Sequence, residues 1–407
     1  MMLHRLVSLL ALIPLTLLAQ TNDTPFDAAA RRAIAETVAR TLETRYVLPE
    51  KGDALAKEVR AASARGDYDA AATPEALANS LNRLLASAND RHLAVHAAMP
   101  MRRDGVLVAE DLRRDNYGFR RVEHLDANIG YLDLGGFTPG DEAQRVAAGA
   151  MAFLANSDAI IVDLRRCPGG AADAVNFLAS YFFGPEKRVL MNRYHRATNT
   201  SMESTTVDVP GKRLTDTPLY VLVGPHTASA CESFSYTLQQ WGRAKIVGER
   251  TAGAGYNNEL VPLGHGLVFS VSAGTAIHPR SKRGWEAVGV QPDLPAPVDR
   301  ALDFARAAIL GVKPAAAEPV QPAAAVPPIR PGDYTGTYGN KEISIREGAL
   351  YYQRIGGSGG TLHPLGNDRF DLGGEAVVTF FRDASGKVTR LRLEWPGHPV
   401  EEYDRAP

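Results

Sequence analysis

Gly224-Pro-His-Thr-Ala-Ser-Ala-Cys-Glu232 follows the apolar run Leu219–Val223 and opens onto Phe234, Tyr236, Leu238 and Trp241. A short apolar run, a Gly-Pro break, small residues and then a helical pattern read as strand, sharp turn and helix. Such a turn presents a hydroxyl at a helix N-terminus, where free backbone N–H groups and the dipole favour developing negative charge. Ser229 stands where a nucleophile would be placed. The bland alternative for this window is a Ser or Thr that only caps the helix.

Similar units lie on either side. Ile129–Leu134 and Ala159-Ile-Ile-Val-Asp-Leu164 read as buried strands, residues 141–154 and 171–183 as helices, and Lys245-Ile-Val-Gly248 as a further strand. Strands alternating with helices imply crossover connections and a largely parallel sheet, so the expected class is α/β. Residues 267–271 add a strand, and 284–290 a turn leading into one more. Upstream, Ile34, Val38, Leu42 and Tyr46 recur every four residues as one apolar stripe. Thr73-Pro74-Glu75 gives a cap, a first-turn proline and a first-turn acid. The expected units are an N-terminal helical domain over 20–92, an α/β domain over 93–311, an Ala/Pro-rich linker over 312–331 and a small all-β domain over 332–407.

With 407 residues, 45% of them apolar and 22% charged, the chain has ample material for a core. A formal net charge of −1 gives no reason to expect nucleic acid or an anionic membrane as partner. Residues 1–19 carry His4 and Arg5 before an apolar stretch too short to span a bilayer. They read as a signal peptide, which implies a periplasmic or secreted protein with no membrane association after processing. Cys167 and Cys231 are the only two cysteines. Both fall in turns assigned to the site, and a buried thiol pair is expected rather than a bond. The ten His are scattered, so neither a metal site nor a cofactor is expected.

Five windows together resemble the tail-specific (C-terminal processing) protease superfamily, on the branch near tricorn protease and interphotoreceptor retinoid-binding protein. Asn89-Asp-Arg-His92 is similar to that branch's Asp-Gly-His element, and Asp163-Leu-Arg-Arg-Cys-Pro-Gly-Gly170 to its Gly-Gly turn. Thr227-Ala-Ser-Ala-Cys-Glu232 resembles its nucleophile turn, and Gly248-Glu-Arg-Thr-Ala-Gly253 the loop that follows. Trp285-Glu-Ala-Val-Gly-Val-Gln-Pro-Asp293 resembles its closing element. The departures are Arg91 for the Gly before the His, Cys167 for an Asn and Ala287 for a Gly. No Lys occurs in Thr251-Ala-Gly-Ala-Gly-Tyr256, so a Ser-His-Glu set fits better than a Ser-Lys pair. Residues 97–127 leave too little chain for a PDZ domain.

The resemblance implies a ClpP/crotonase-like fold and a serine peptidase acting on peptides or protein C-termini. Ser229 would be nucleophile, His92 base and Glu286 the acid orienting it, with an oxyanion site from Gly169, Gly170 and the Ala230 amide. Tyr256 and Trp285 are candidate substrate-binding residues. His226 is the rival base and is expected to form a wall. Glu232 is expected to bond local backbone, Asp163 and Arg165 to pair in support of the Gly turn, and His195 to lack a partner. The alternatives are a catalytically weak or inactive binder of hydrophobic ligands or peptides on the same fold, and an esterase-like or peptide-modifying hydrolase using the same nucleophile.

Overall fold

The computed structural model describes residues 25–97, 112–314 and 330–406, apart from positions 347, 356–358, 373–375 and 396–399. The signal-peptide reading and most of the linker reading lie outside the described residues.

Seven helices are used below: α1 (Ala28–Arg45), α2 (Pro49–Arg65), α3 (Pro74–Leu85), α4 (Asp141–Phe153), α5 (Ala172–Ser180), α6 (Ala230–Gln240) and α7 (Ala301–Leu310). The main sheet contains β2 (Phe119–Leu125), β3 (Ile129–Leu134), β4 (Ala159–Asp163), β7 (Leu219–Val223), β8 (Lys245–Gly248) and β11 (Leu294–Pro295). Its order is β11-β8-β7-β4-β3-β2, with only the β2–β3 pair antiparallel. The fold is therefore α/β with a mostly parallel sheet.

β4 reads Ala-Ile-Ile-Val-Asp without a polar break because both of its faces are covered, as parallel strands require. Alternation along the strand sends Ile160 and Val162 to one side, against Phe177, Leu178 and Phe234. Ile161 goes to the other side, with Leu222, Val247 and the α7 residues Ala301 and Ala305. Burying such side chains contributes roughly 1.5–3 kcal/mol each, which is why these short strands hold their register.

A second sheet is antiparallel: β1 (Ala94–Ala97), β10 (Leu267–Ile277), β5 (Val189–His195) and β6 (Thr200–Thr205), with β9 (Asn257–Gly264) also on β10. Phe269 and Val271 of β10 pack on the stripe formed by Ile34, Val38 and Leu42, so α1–α3 share one core with this sheet. Thr73 caps α3 by accepting from Ala76 N–H at 3.2 Å. Buried Asn82 of α3 exchanges two hydrogen bonds with the Val95 backbone, at 2.8 and 2.7 Å. The segment carrying His92 is thereby held between α3 and β1.

His195, expected to stand alone, has two partners. Its Nδ1 lies 2.9 Å from Thr198 Oγ1, and its Nε2 meets the Glu259 carboxylate. The reason is sheet register: β5 and β9 both pair with β10, which brings Glu259 alongside from 64 residues away in sequence.

The C-terminal region holds two antiparallel sheets. One contains β12 (Gly336–Tyr338), β13 (Lys341–Arg346), β14 (Ala349–Arg354) and β15 (Gly359–Thr361). The other contains β16 (His363–Gly366), β17 (Arg369–Leu372), β18 (Ala376–Arg382), β19 (Val388–Glu394) and β20 (Glu401–Asp404). They share one aromatic-rich core that includes Tyr338, Tyr352, Phe370 and Phe380.

Candidate active site

Ser229 sits at the junction of β7 and α6 with φ 51° and ψ −116°, a conformation in which a residue bearing Cβ is strained. Two neighbours hold it there. Thr227 is fully buried; its hydroxyl donates to Leu164 O at 2.8 Å and accepts from Gly224 N–H at 2.9 Å. Glu232, also fully buried, accepts the Ser229 N–H at 2.9 Å. Thr227→Val keeps the shape but leaves the buried Gly224 N–H unpaired, while Leu164 O keeps the Cys167 N–H at 3.1 Å. It is expected to cost about 1–3 kcal/mol, read as a shift of the urea midpoint with an unchanged slope.

Glu232 links the nucleophile turn to the loop after β8. Its two oxygens also accept from Thr251 Oγ1 at 2.5 Å, Gly253 N–H at 2.7 Å and Ala254 N–H at 2.8 Å. Burial pushes its pKa up, while these donors pull the other way. The next two N–H groups of the same loop, Gly255 and Tyr256, donate to Glu286 Oε2 at 2.6 and 2.8 Å. Four successive backbone donors are thus divided between two carboxylates. A side chain at 255 would meet the Glu286 backbone N at 2.6 Å, so this loop requires a glycine there.

Burial first, and then the negative charge of Asp90, push Glu286 up to about 7 against the pull of its two N–H donors. Asp90 also accepts from His92 N–H at 2.9 Å and Ser272 Oγ at 3.0 Å. Burial lowers the His92 pKa, with Asp90 opposing, and His92 Nδ1 is buried without a hydrogen-bond partner. Asp90 is therefore the charge common to the two predicted groups. Tyr46 joins it: this buried phenol is raised well above its usual range by burial and then by Asp90. Sequence reading took Tyr46 only as part of an apolar stripe and Asp90 only as part of a motif. No sequence signal marked their proximity to Glu286.

The turn after β4 approaches Ser229 from the other side. A Cβ added to Gly169 would lie 3.0 Å from Ser229 Cβ and 3.5 Å from its Oγ. Gly170 has φ 138°, and a Cβ there would meet Phe137 O at 2.2 Å, so only glycine fits. The turn is pinned by Phe137 N–H to Gly169 O at 2.9 Å and Ala171 N–H to Phe137 O at 2.7 Å. Those bonds do not involve the Gly169 and Gly170 N–H groups. Behind the turn, Arg165 bonds Asp163 at 2.6–3.1 Å and Val298 O at 2.7 Å. Ala230, whose amide follows the nucleophile, opens α6 and is 7% exposed.

Cys167 and Cys231 form a disulfide, which corrects the expected thiol pair. The two turns converge enough to place the Cα atoms 6.0 Å apart, inside the window of about 4.4–6.8 Å that a disulfide needs. That convergence is a property of the fold, and the linear spacing does not reveal it.

Among the described residues no hydrogen bond joins Ser229 Oγ to His92, or His92 to Glu286; the Gly169 turn approaches Ser229, the His92 backbone N–H donates to Asp90, and Glu286 feels the Asp90 charge. Tyr256 is half-buried and raised by burial, then by Glu286. Trp285 is only 2% exposed; its indole N–H donates to Ala254 O at 3.2 Å, bracing the loop from behind. His226 stands beside the C-terminal sheets, since a Cβ on Gly360 would lie 3.4 Å from its Cε1.

Residues 128–296 match Peptidase family S41, a span that contains Ser229, Glu286 and the Gly turn and begins after His92. A carboxyl-terminal-processing protease of Synechocystis sp. is 32% identical over 168 residues, 41% of this chain and 37% of the relative. One of Picosynechococcus sp. is 30% identical over 168 residues, covering 40% of this chain and 38% of the relative. The match thus spans less than two-fifths of each curated relative. Among solved structures, the photosystem II D1 C-terminal processing protease superposes with a TM-score of 0.45 at 14% identity, covering 66% of this chain and 94% of that one. The part of this chain that is similar to peptidase family S41 is residues 128–296, the span that holds β3, β4, β7 and the Ser229 turn.

Proposed function

We propose that this chain is an exported serine-type peptidase that hydrolyses peptides or protein C-termini through an acyl-enzyme. The observation that carries the reading is the strained Ser229 backbone at a strand-to-helix turn, beside a second turn whose glycine approaches its side chain. In this reading His92 takes the proton from Ser229 Oγ as the hydroxyl attacks the substrate carbonyl. Catalytic hydrogen bonds commonly tighten only with substrate in place, and His92 with its free Nδ1 has capacity to turn toward Glu286. The N–H groups of Gly169, Gly170 and Ala230 receive the oxyanion. Loss of the leaving amine gives the acyl-enzyme, which water then hydrolyses.

A fluorophosphonate probe tests the nucleophile directly. Mass spectrometry of the labelled protein is expected to place the adduct on Ser229. An inert Ser229, with tight binding of apolar ligands, would replace this reading with that of a non-catalytic binder.

The pH dependence follows from Glu286. A carboxyl raised to about 7 is neutral below that pH and ionised above it, whereas burial shifts His92 the other way, toward its neutral, basic form. If ionised Glu286 stabilises the imidazolium, kcat/KM should climb roughly tenfold per pH unit below 7 and level off above it. Glu286→Gln retains an acceptor for the Gly255 and Tyr256 N–H groups and should flatten that limb. A limb that survives the substitution would remove Glu286 from the role. For stability the sign is opposite. The raised carboxyl favours the fold below its ordinary value of 4.5, and that contribution is lost as pH rises through about 7.

A further inference from the structure

The two cysteines flank the proposed machinery. Cys167 lies two residues before Gly169, and Cys231 two residues after Ser229. Both are fully buried, and their bond spans a sequence separation of 64. Cys231 Sγ lies 3.5 Å from Gly169 O, and Ala228 N–H donates to Cys167 O at 3.1 Å. The bond therefore crosses from the Gly turn to the first turn of α6, the two segments that would each supply part of the oxyanion site.

We propose that the Cys167–Cys231 disulfide is a positioning element: it fixes the Gly169–Gly170 donors relative to the Ala230 amide and Ser229. The inference rests on the reading of Ser229 as nucleophile. Donors on two separate segments stabilise an oxyanion only if their separation is held to within roughly 0.5 Å. On its far side the Gly turn is pinned to the Phe137 backbone, and toward Ser229 it is held by the Ala228 N–H to Cys167 O hydrogen bond at 3.1 Å. Thr227 ties the base of the nucleophile turn to Leu164, but that hydrogen bond lies five residues before Gly169. Beside the donors, the Ala228 N–H to Cys167 O hydrogen bond joins the two turns, and the disulfide adds a covalent tie that a hydrogen bond alone does not supply. A bond serving overall stability alone would be indifferent to this placement.

The experiment compares wild type with the full-length double variant Cys167→Ser/Cys231→Ser, reading thermal unfolding, fluorophosphonate labelling of Ser229, and kcat and KM on a peptide substrate. The expected result is a folded variant whose kcat falls about 10–100-fold while KM stays within about threefold, the signature of a contact used mainly in the transition state. A folded variant with kcat within about twofold of wild type overturns the proposal. If the variant does not fold, the wild-type bond is opened with dithiothreitol. Two electrons and two protons convert the disulfide to two thiols as the reductant closes to its own cyclic disulfide. The same fall in kcat with an unchanged circular dichroism spectrum, reversed on reoxidation, is then expected. Unfolding by both routes would show a fold determinant and would also overturn it. Failure of the underlying reading looks different, because wild type itself would then remain unlabelled at Ser229.

Discussion

Ser229→Ala is expected to lower kcat by at least about 10⁴-fold while leaving the fold intact. Deleting the nucleophile of such a constellation leaves only what donors and binding groups contribute. Stability should hardly change, because the φ 51°, ψ −116° backbone is imposed by Thr227 and Glu232, and neither contact uses the serine hydroxyl. Ala keeps the Cβ and therefore the strain. Ser229→Gly removes it, so that variant should be as inactive as Ser229→Ala yet more stable by about 1 kcal/mol. Active-site titration beside thermal unfolding of the three proteins checks both statements. A turnover that survives in Ser229→Ala would sink the nucleophile assignment. A glycine variant no more stable than the alanine one would show that the backbone stores no strain.

The strand–turn–helix about Ser229 was legible because its signals are local. An apolar five-residue run, a Gly-Pro break and small residues each constrain the backbone within a few positions. The same holds for β4 and for the glycine pair after it. The long-range relations were not legible. Nothing in the spacing shows that β10 serves both as a partner for β9 and β5 and as the floor beneath α1–α3, so Glu259 beside His195 went unforeseen. The disulfide was missed for the same reason, since bond geometry depends on two turns meeting across 64 residues. Asp90 is the most instructive case. An aspartate two positions before a histidine reads as a turn residue, and its Oδ1 does accept the His92 N–H as turn aspartates do. Its influence on Glu286 arises only once α3, β10 and the 253–256 loop have been brought together.

Glu232→Gln is expected to be among the most destabilising conservative changes in the chain. The carboxylate is fully buried, and each oxygen accepts two hydrogen bonds: Oε2 from Ser229 and Ala254 N–H, Oε1 from Gly253 N–H and Thr251 Oγ1. A glutamine has one acceptor oxygen and one amide donor group. Whichever way it is turned, its NH₂ opposes backbone donors: the Gly253 N–H beside a Thr251 hydroxyl that can turn to accept, or the N–H groups of both Ser229 and Ala254. Leaving buried donors unpaired costs about 1–3 kcal/mol each, so a loss of roughly 3 kcal/mol is expected. The thermal midpoint should then fall by roughly 6–12 °C. The effect should also be selective. Glu232 joins the nucleophile turn to the loop whose next two N–H groups hold Glu286, so its replacement frees both ends of the site at once. Hydrogen exchange should therefore rise first at Ser229 and across 253–256, with the helical region 28–85 protected as before. Uniform loss of protection would instead make Glu232 a support for the whole fold, and unchanged exchange at 253–256 would mean that the loop is held by other contacts.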